Sequence, residues 1–401
     1  MAAPPQATRS RSPLTGVCSP GMGPLEGVRV VEIAALGPAP MCCMLLADLG
    51  ADVLRVDRVD GAPELFPAPA RFQVLNRGRR SVGLDLKSTE GVAAALRLVT
   101  RADVLVEGFR PGVAERLGLG PEACHAKNPR LVYGRMTGWG QEGPLADTVG
   151  HDIDYLALTG ALHAIGRRGE APVVPLNLVA DFGGGALYLA VGILAALVER
   201  QRSDLGQVVD AAMVDGVAHL TTLVHGLMAT GAWQDERGVN AIDTGAPFYD
   251  VYRTRDGKYL AVGALEPRFY ATLVRLLELP DVDRARQLAP SEWPLLRASL
   301  AARISEKTRD EWVTVFHGSD ACVAPVLSFG EAKEHPHLQA RGTFVAIDGV
   351  VQPAPAPRFS RTPPGVPHGA HERGADTAAA LRDWGFEDAD IAPLLRGGGA
   401  R

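Results

Sequence analysis

Cysteine is scarce in this 401-residue chain, which has five cysteines and no CxxC pair. The spacing of the five residues does not form a disulfide framework. Cys42 and Cys43 stand side by side in an apolar segment, so we expect both to be small core residues of a helix. A chain without paired cysteines is typical of a reducing compartment, and we therefore expect a cytoplasmic protein.

The chain also lacks a net positive charge and long apolar runs. A net charge of -5 and a pI near 6.1 give no electrostatic footprint for nucleic acid or an anionic membrane, so we expect neither as a partner. The longest apolar run, "ALYLAVGILAALV", is shorter than the roughly 18–20 residues of a membrane span and predicts a buried helix. Residues 1–22 lack the apolar centre of a secretory signal, which predicts a flexible leader with Met22 as an alternative start.

A dinucleotide-binding loop is absent too. The turn after the first predicted strand reads "AALGPAPM" and lacks the G-x-G-x-x-G glycines that let a backbone approach a pyrophosphate. Asp57 closes the second predicted strand, where a ribose-binding acid would lie, but one acid without the glycines is a weak signal. The sequence therefore argues against NAD.

What the chain does have is a regular alternation of strands and helices. The strand-like "GVRVVEIA" and "ADVLRVDR" flank the helical "APMCCMLLADLG", a spacing that predicts a parallel βαβ unit. Further alternation predicts a large, doubly wound, Rossmann-like α/β domain, and an antiparallel meander with a turn at Asp256-Gly257 predicts a smaller α+β domain. The predicted segments are a leader at 1–22, the large domain at 23–210, a helical linker at 211–249, the small domain at 250–354, and a return to the large domain at 355–401.

Three segments place an acid or a base where a predicted helix begins. His151 lies in "GHDIDY", Asp181 lies in "DFGGG" after a strand-like "PLNLVA", and Glu266 lies between a strand and a proline-started helix. Each has an ordinary interpretation as a helix cap or a surface residue. For Asp181, the three glycines argue against a plain cap, because they leave room for a ligand beside the carboxylate. The basic run "NRGRR" at 76–80 is either a solvated turn or a grip on a phosphate.

Several longer stretches are more specific when they are taken together. They read "GPLEGVRVVEIAALGPAPMCCMLLADLGADVLRVDR", "NRGRRSVGLDLKS", "EGFRPGVAERLGLGP", "RMTGWGQEGPLADTVGHDIDYLALTGALHAIGR", "LVADFGGG" and "GQVVDAAMVDG". From Gly23 to the closing helix the chain resembles the family III CoA-transferases of the CaiB/BaiF type. Within that family it is most similar to the branch of α-methylacyl-CoA racemases.

The resemblance implies an interlocked homodimer in which the two domains of each chain are threaded around the other chain. Active sites would lie between the large domain of one chain and the small domain of the other. His151 matches the catalytic histidine of the family and Asp181 its catalytic aspartate. Glu266 matches the acid that supports the histidine, and would come from the second chain.

The resemblance also implies a binding site for the CoA part of the substrate, with no separate cofactor and no metal. Arg58, Arg110 and Arg116 would lie near the phosphates, since a guanidinium donates hydrogen bonds in pairs. Tyr155 would line the pantetheine channel. The full set of implied substrate-binding residues is Leu36, Arg58, Leu84, Asp85, Leu86, Lys87, Arg110, Arg116, Gly150, Asp152 and Tyr155.

The implied reaction explains the residue types. Racemising a 2-methylacyl-CoA requires one group to remove the proton beside the thioester carbonyl and another to return a proton to the opposite face. We therefore expect His151 and Asp181 to face each other across the α-carbon. The helix that begins at "HDIDY" has free backbone N–H groups, and the amide of Asp152 is the expected donor to the enolate oxygen.

Two other functions stay open at this point. In a CoA-transferase between carboxylic acids, Asp181 would act as a nucleophile on the thioester, and the histidine would not be needed. A non-enzymatic CoA-thioester binder or sensor would need neither acid nor base. The presence of His151 beside Asp181 and Glu266 favours the racemase.

Overall fold

A computed structural model describes residues 23–60, 67–396 and 398–400 of the chain. The predicted leader, with Met22, lies outside the described residues. The chain forms one large parallel sheet with helices on both faces, followed by smaller antiparallel sheets. The predicted α/β class with a large Rossmann-like domain is confirmed.

Six parallel strands form the large sheet in the order β3-β2-β1-β4-β5-β6, so the order reverses between β1 and β4. Short apolar runs rich in valine and leucine form these strands, because a parallel sheet is covered on both faces. The strands are β1 (Arg29–Ile33), β2 (Asp52–Asp57), β3 (Arg79–Gly83), β4 (Val104–Glu107), β5 (Val132–Thr137) and β6 (Val208–Ala212).

Helices cover the two faces of this sheet and create two separate apolar cores. The helices are α1 (Pro38–Asp48), α2 (Thr89–Val99), α3 (Val113–Arg116), α4 (Pro121–Lys127), α5 (Asp152–Leu158), α6 (Ala161–Ala164), α7 (Leu187–Ser203), α8 (Met213–Leu220) and α9 (Thr222–Ala229). One core lies between the sheet and helices α1 and α7, and the other lies between the sheet and helices α2 and α4. The expectation that Cys42 and Cys43 are core residues of a helix is confirmed, since both are fully buried in α1.

The sequence of the stretch "VVDAAMVDGVAHLTTLVHGLMATGAW" predicts a helix over its whole length, but its first part is a strand. Val208–Ala212 pairs with β5 as the sixth strand of the sheet, and only then do α8 and α9 follow. Tertiary pairing decides this outcome, because valine-rich segments fit a strand when a neighbouring edge is available. The strand also crosses the predicted boundary between residues 210 and 211.

The second part of the chain contains the predicted antiparallel meander. Its hairpin turns at Asp256-Gly257, where Gly257 has a φ of 77°. The elements are β7 (Tyr249–Arg253), β8 (Tyr259–Gly263), α10 (Pro267–Leu276), α11 (Trp293–Ile304), α12 (Arg309–Phe316), β9 (Val323–Pro325), α13 (Phe329–Glu334), α14 (Pro336–Ala340), β10 (Phe344–Ile347) and β11 (Val350–Pro353). A third apolar core, which includes Phe248, Tyr270 and Trp312, holds this part together.

The chain then returns to the large sheet through α15 (Thr377–Asp383) and α16 (Asp388–Arg396). Leu381 and Trp384 are fully buried in the core of the large sheet. The sequence of the closing helix, "DTAAALRDWGF", predicts an aspartate N-cap, and this prediction is only half right. Asp376 occupies the N-cap position, but its carboxylate accepts a hydrogen bond from the Ser81 amide at 2.8 Å and does not cap the helix.

A nine-residue π-helix, Leu178–Ala186, runs directly into α7. The strand predicted for "PLNLVA" is therefore wrong. Together the π-helix and α7 give a helical segment of 26 residues that is long and apolar enough to cross a membrane by length and composition. A core helix passes the same test, and α7 packs on β5, β6 and α1.

The basic run at 76–80 is neither a solvated turn nor a phosphate grip. Arg77 is buried and pairs with Asp48 at 2.6 Å, and Arg79 is buried against Glu32. Arg77 also donates to Gln352 and to the carbonyl of Pro353, so it ties the first core to the last hairpin. Arg77 and Arg79 therefore stabilise the fold through buried ion pairs.

The Arg77–Asp48 pair generates a prediction about stability. Asp48→Ala leaves the buried guanidinium without its counter-charge, and the free energy of unfolding should fall by about 3–5 kcal/mol. The matched control is Asp388→Ala, because the Arg382–Asp388 pair is more than half exposed at both side chains and should contribute at most about 1 kcal/mol. Urea unfolding followed by circular dichroism checks both values, and equal losses in the two variants would contradict the prediction.

Candidate active site

The candidate site lies where the strand order of the large sheet reverses. In a doubly wound sheet, the loops after the two strands at the reversal diverge and open a crevice. Here these loops follow β1 and β4, and they pass close together at Ala35 and Gly108. Leu36 follows in the first loop and is 75% exposed, which is unusual for a leucine beside a core. The loop ends at Gly37, the N-cap of α1.

His151 is the N-cap of α5, as its sequence context predicted. Its side chain is exposed, and its backbone amide donates to the carboxylate of Asp154 at 2.9 Å. Asp152 is the first helical residue, and its own backbone N–H has no acceptor in the part of the chain that the structure describes. The imidazole and this free amide are therefore presented side by side.

The carboxylate of Asp152 joins α5 to the π-helix. It is buried, and one oxygen accepts hydrogen bonds from the backbone amides of Ala180 at 2.9 Å and Asp181 at 2.8 Å. This carboxylate ion caps the start of the π-helix, a position where negative charge is favoured. The sequence predicted a role only for the amide of Asp152, because a contact across 28 residues has no local signal.

Asp181 itself is therefore not a helix cap. Its carboxylate is half-buried and accepts one long hydrogen bond, from Asn177 at 3.3 Å. Burial raises the pKa of the Asp181 carboxyl, and the negative charge of Asp152 raises it further, against the lowering effects of Asn177 and His151. Because the backbone amide of Asp181 donates to the carboxylate of Asp152, the neighbour of His151, the two residues lie near each other. That they face each other across a substrate as acid and base stays a prediction.

The glycines that follow Asp181 do not make room for a ligand, and that expectation is wrong. A Cβ atom on Gly184 would lie 2.8 Å from the amide of Val217, and one on Gly185 would lie 2.8 Å from Met213. The glycines let α8 pack directly against the backbone of the π-helix. On the other side of Asp181, a Cβ on Gly37 would lie 3.4 Å from the carboxylate, so the carboxylate is close to the start of α1.

Tyr155 lies one turn into α5 and is buried rather than displayed on a surface. Its ring packs edge-on against Trp139 with the ring centres 4.7 Å apart, and it fills the space beside Gly138 and Gly150. Burial raises the pKa of the Tyr155 hydroxyl to about 12, with further contributions from the nearby carboxylates. Gly150 is required here because any side chain would meet the ring.

Glu266 does not join His151 and Asp181 within one chain. It is the N-cap of α10, but its side chain makes no capping hydrogen bond. In the same part of the chain, burial raises the pKa of the Cys322 thiol and the charge of Glu266 raises it further. In the residues that the structure describes, no hydrogen bond or ion pair connects Glu266 to His151.

Several residues predicted to bind CoA do lie together, after β2 and β3. Arg58 is exposed and pairs with Asp60 at 2.8 Å, and Lys87 reaches the same carboxylate at 3.8 Å. The carboxylate of Asp85 accepts a hydrogen bond from the backbone amide of Lys87 at 3.0 Å. In contrast, the side chain of Leu84 is fully buried, so it has no surface to offer a ligand, whereas Leu86 is partly buried.

Arg110 and Arg116 lie beyond β4, on the other side of the crevice. Both are exposed, and neither has an ion pair with a carboxylate among the described residues. The helix that carries Arg116 is fixed by Arg135, which bridges Glu107 on β4 and Glu115 on α3 at 3.0 and 2.9 Å. Over the described ranges, the structure contains no group of three or more acidic, histidine or cysteine side chains that could hold a metal ion.

Comparison with known proteins agrees with this architecture. Residues 25–377 match the model of CoA-transferase family III. The chain is 47% identical over 374 residues to a protein named alpha-methylacyl-CoA racemase from Mus musculus, covering 92% of this chain and 96% of the relative. It is 45% identical over 375 residues to the protein of the same name from Homo sapiens, with the same coverage.

Other members of the family are more distant. The chain is 31% identical to a succinyl-CoA--L-malate CoA-transferase beta subunit from Chloroflexus aurantiacus, over 90% of this chain and 94% of the relative. The crystal structure of a CAIB/BAIF family protein from Brucella suis superimposes with a TM-score of 0.78 at 26% identity, over 90% of this chain and all of that one. The chain belongs to family III of the CoA-transferases.

Proposed function

We propose that this protein is a 2-methylacyl-CoA racemase, an isomerase that interconverts (R)- and (S)-2-methylacyl-CoA thioesters by 1,1-proton transfer. The observation that carries the proposal is the hydrogen bond from the backbone amide of Asp181 to the carboxylate of Asp152, the neighbour of His151, which holds the proposed acid near the proposed base. The identity of 45–47% to proteins named alpha-methylacyl-CoA racemase supports it, against about 30% to named CoA-transferases of the family.

The chemistry needs one proton carrier on each face of the α-carbon. Neutral His151 takes the α-proton, and the electrons of the broken C–H bond move into the carbonyl to give an enolate. The protonated Asp181 then delivers its proton to the opposite face, and the new C–H bond has the inverted configuration. In the other direction the two residues exchange roles, and the reaction consumes no co-reactant.

The enolate must be stabilised for this exchange to be fast. A carbon acid is far weaker than imidazolium, and each pKa unit of mismatch costs roughly 1.4 kcal/mol. The backbone N–H of Asp152, which has no acceptor among the described residues and lies next to His151, is the proposed donor to the enolate oxygen. The raised pKa of the Asp181 carboxyl favours its protonated form, which the same step requires.

The CoA part of the substrate supplies the anchoring charges. Arg110 and Arg116 are exposed without carboxylate partners in the described chain, so they are the proposed phosphate ligands on one side of the crevice. On the other side, Arg58 and Lys87 share Asp60, and phosphate binding there would replace that carboxylate. No cofactor besides the substrate is part of the proposal.

A homodimer completes the proposed site. Within one chain Glu266 lies apart from His151, whereas the supporting role proposed for it requires contact with the histidine. Large apolar side chains on α7 and α9 are exposed in the single chain, with Val191 at 65% and Leu223 at 63%. Exposed apolar surface of this kind is typical of a subunit interface.

One prediction of the proposed function concerns α-proton exchange. Incubation with (R)- or (S)-2-methylacyl-CoA in deuterium oxide should remove the α-proton signal from both epimers and interconvert them, as followed by proton NMR. His151→Ala and Asp181→Asn should each slow interconversion by about 100- to 10,000-fold, because each removes one of the two proton carriers.

The control for this experiment is an added carboxylic acid with the same thioester. Transfer of CoA to that acid without α-proton exchange, lost in Asp181→Ala but kept in His151→Ala, would make the protein a CoA-transferase with Asp181 as nucleophile. Binding of the thioester with neither reaction would indicate a binder or sensor.

A further prediction of the proposed function tests whether two chains build one site. His151→Ala and Glu266→Ala, each weakly active alone, should regain activity when they are co-expressed with different affinity tags and purified through both tags in sequence. Each mixed dimer would then hold one intact site, giving about half of the wild-type activity per dimer. Mixed dimers that are no more active than the single variants would place Glu266 outside the site.

A further inference from the structure

The start of the π-helix poses a problem for an acid catalyst. Backbone N–H groups at a helix N-terminus point at any nearby carboxylate and favour its ionised form. Asp181 is in the first turn of the π-helix Leu178–Ala186, so its carboxyl should be held ionised. The proposed racemase needs this carboxyl to be protonated for half of its cycle.

The hydrogen bonds at this helix start go elsewhere. The amides of Ala180 and Asp181 both donate to one carboxylate oxygen of Asp152, at 2.9 and 2.8 Å. The carboxylate of Asp181 accepts only the 3.3 Å bond from the Asn177 side chain among the described residues. The side chain that caps the start of the π-helix is therefore that of Asp152 and not that of Asp181.

The second helix start beside Asp181 is also poor in donors. The carboxylate of Asp181 lies close to Gly37, the N-cap of α1. Pro38 and Pro40 occupy the first and third positions of that helix, and proline has no backbone N–H. The segment "GPAP" therefore brings a helix start to Asp181 with few N–H groups to donate.

We propose that Asp152 is a positioning residue for the racemase reaction, which caps the π-helix in place of Asp181, fixes the backbone of Asp181, and keeps the helix amides from its carboxylate. The inference rests on the proposed function for its catalytic meaning, but the hydrogen bonds are independent of it. Asp152 is only 8% exposed, so its charge acts on Asp181 through the protein interior rather than through solvent.

The charged and titratable groups around Asp181 support this assignment. From α5, His151, Asp152 and Tyr155 face it, and from its own segment only the neutral Asn177 does. The faces of α1 and α8 that pack against the π-helix are apolar, with Pro38, Met213 and Val217 in contact. The titratable groups on the neighbouring elements interact with other partners than Asp181. His219 shares a hydrogen bond with Tyr188, Arg135 forms an ion pair with Glu107, and the charge of Asp210 interacts with those of Arg135 and Asp215.

Asp152→Asn is the informative variant. An amide oxygen can still accept both backbone hydrogen bonds. The second oxygen of Asp152 is buried and has no hydrogen-bond partner in the described part of the chain, so its replacement by nitrogen breaks no bond there. The negative charge is lost, and with it the repulsion that disfavours ionised Asp181. The midpoint at which Asp181 ionises should therefore fall by about one pH unit.

Infrared difference spectroscopy of the substrate-free protein measures this midpoint directly. The C=O stretch of the protonated carboxyl is followed against pH and assigned to Asp181 by its absence in Asp181→Asn. Asp154→Asn is the matched control, because it removes a charge from the same turn of α5 but its carboxylate bonds the amide of His151 instead. The control should leave the Asp181 midpoint unchanged.

A second variant should move the midpoint in the opposite direction. Asn177 is exposed and donates the single bond to the Asp181 carboxylate, so Asn177→Ala should raise the midpoint without disturbing the core. An Asp181 midpoint that is unchanged or higher in Asp152→Asn, or lower in Asn177→Ala, would overturn the proposal. Because these titrations need no substrate, their outcome is separate from the presence or absence of racemase activity.

The pH dependence of α-proton exchange links the capping to catalysis. Loss of activity at high pH should begin at lower pH in Asp152→Asn than in the wild type, by the same amount as the infrared midpoint. A purely structural role of Asp152 would instead lower the rate equally at every pH and leave the profile in place.

Discussion

The reversal of strand order between β1 and β4 is the constraint on which the site depends. Because the two strands send their loops in opposite directions, a crevice opens at their carboxyl ends, and the loop that ends at Gly37 lies beneath Asp181. The sheet can hold this geometry because its two faces have separate apolar cores and because buried Arg77, which precedes the edge strand β3, pairs with Asp48 and donates hydrogen bonds to Gln352 and Pro353 of the last hairpin.

Two helix starts meet at this crevice, and each is used in a different way. The start of α5 presents an imidazole and a free amide, which is the arrangement that an enolate needs. The backbone amides at the start of the π-helix donate to the Asp152 carboxylate, so among the described residues the side chain of Asp181 accepts one hydrogen bond, the long one from Asn177. The proposed acid and the proposed base, which have opposite requirements, can therefore lie near each other, because the backbone donors are distributed unequally between them.

The π-helix also connects chemistry to packing. Its glycines bring α8 into contact with the backbone, and this contact holds the turn that carries Asp181. The apolar surfaces of α7 and α9 that face away from this contact are exposed in one chain, as is Leu36 at the crevice. In a single chain the two proposed proton carriers therefore lie near apolar surface that is exposed to solvent. This agrees with the proposed site between two subunits.

The sequence by itself determined the alternation of strands and helices, the position of His151 at a helix start, and the family, since these depend on local patterns and on long specific motifs. It predicted a helix where β6 forms, a strand where the π-helix forms, and room for a ligand beside the glycines. Only the tertiary structure decided these points, together with the burial of Arg77 and Arg79 and the capping by Asp152. The physical reason is a contact between residues far apart in the chain, which is strand pairing for β6, close packing for the glycines, an ion pair for the arginines and a hydrogen bond for Asp152. Such a contact overrides the local preference, and no local pattern records its partner.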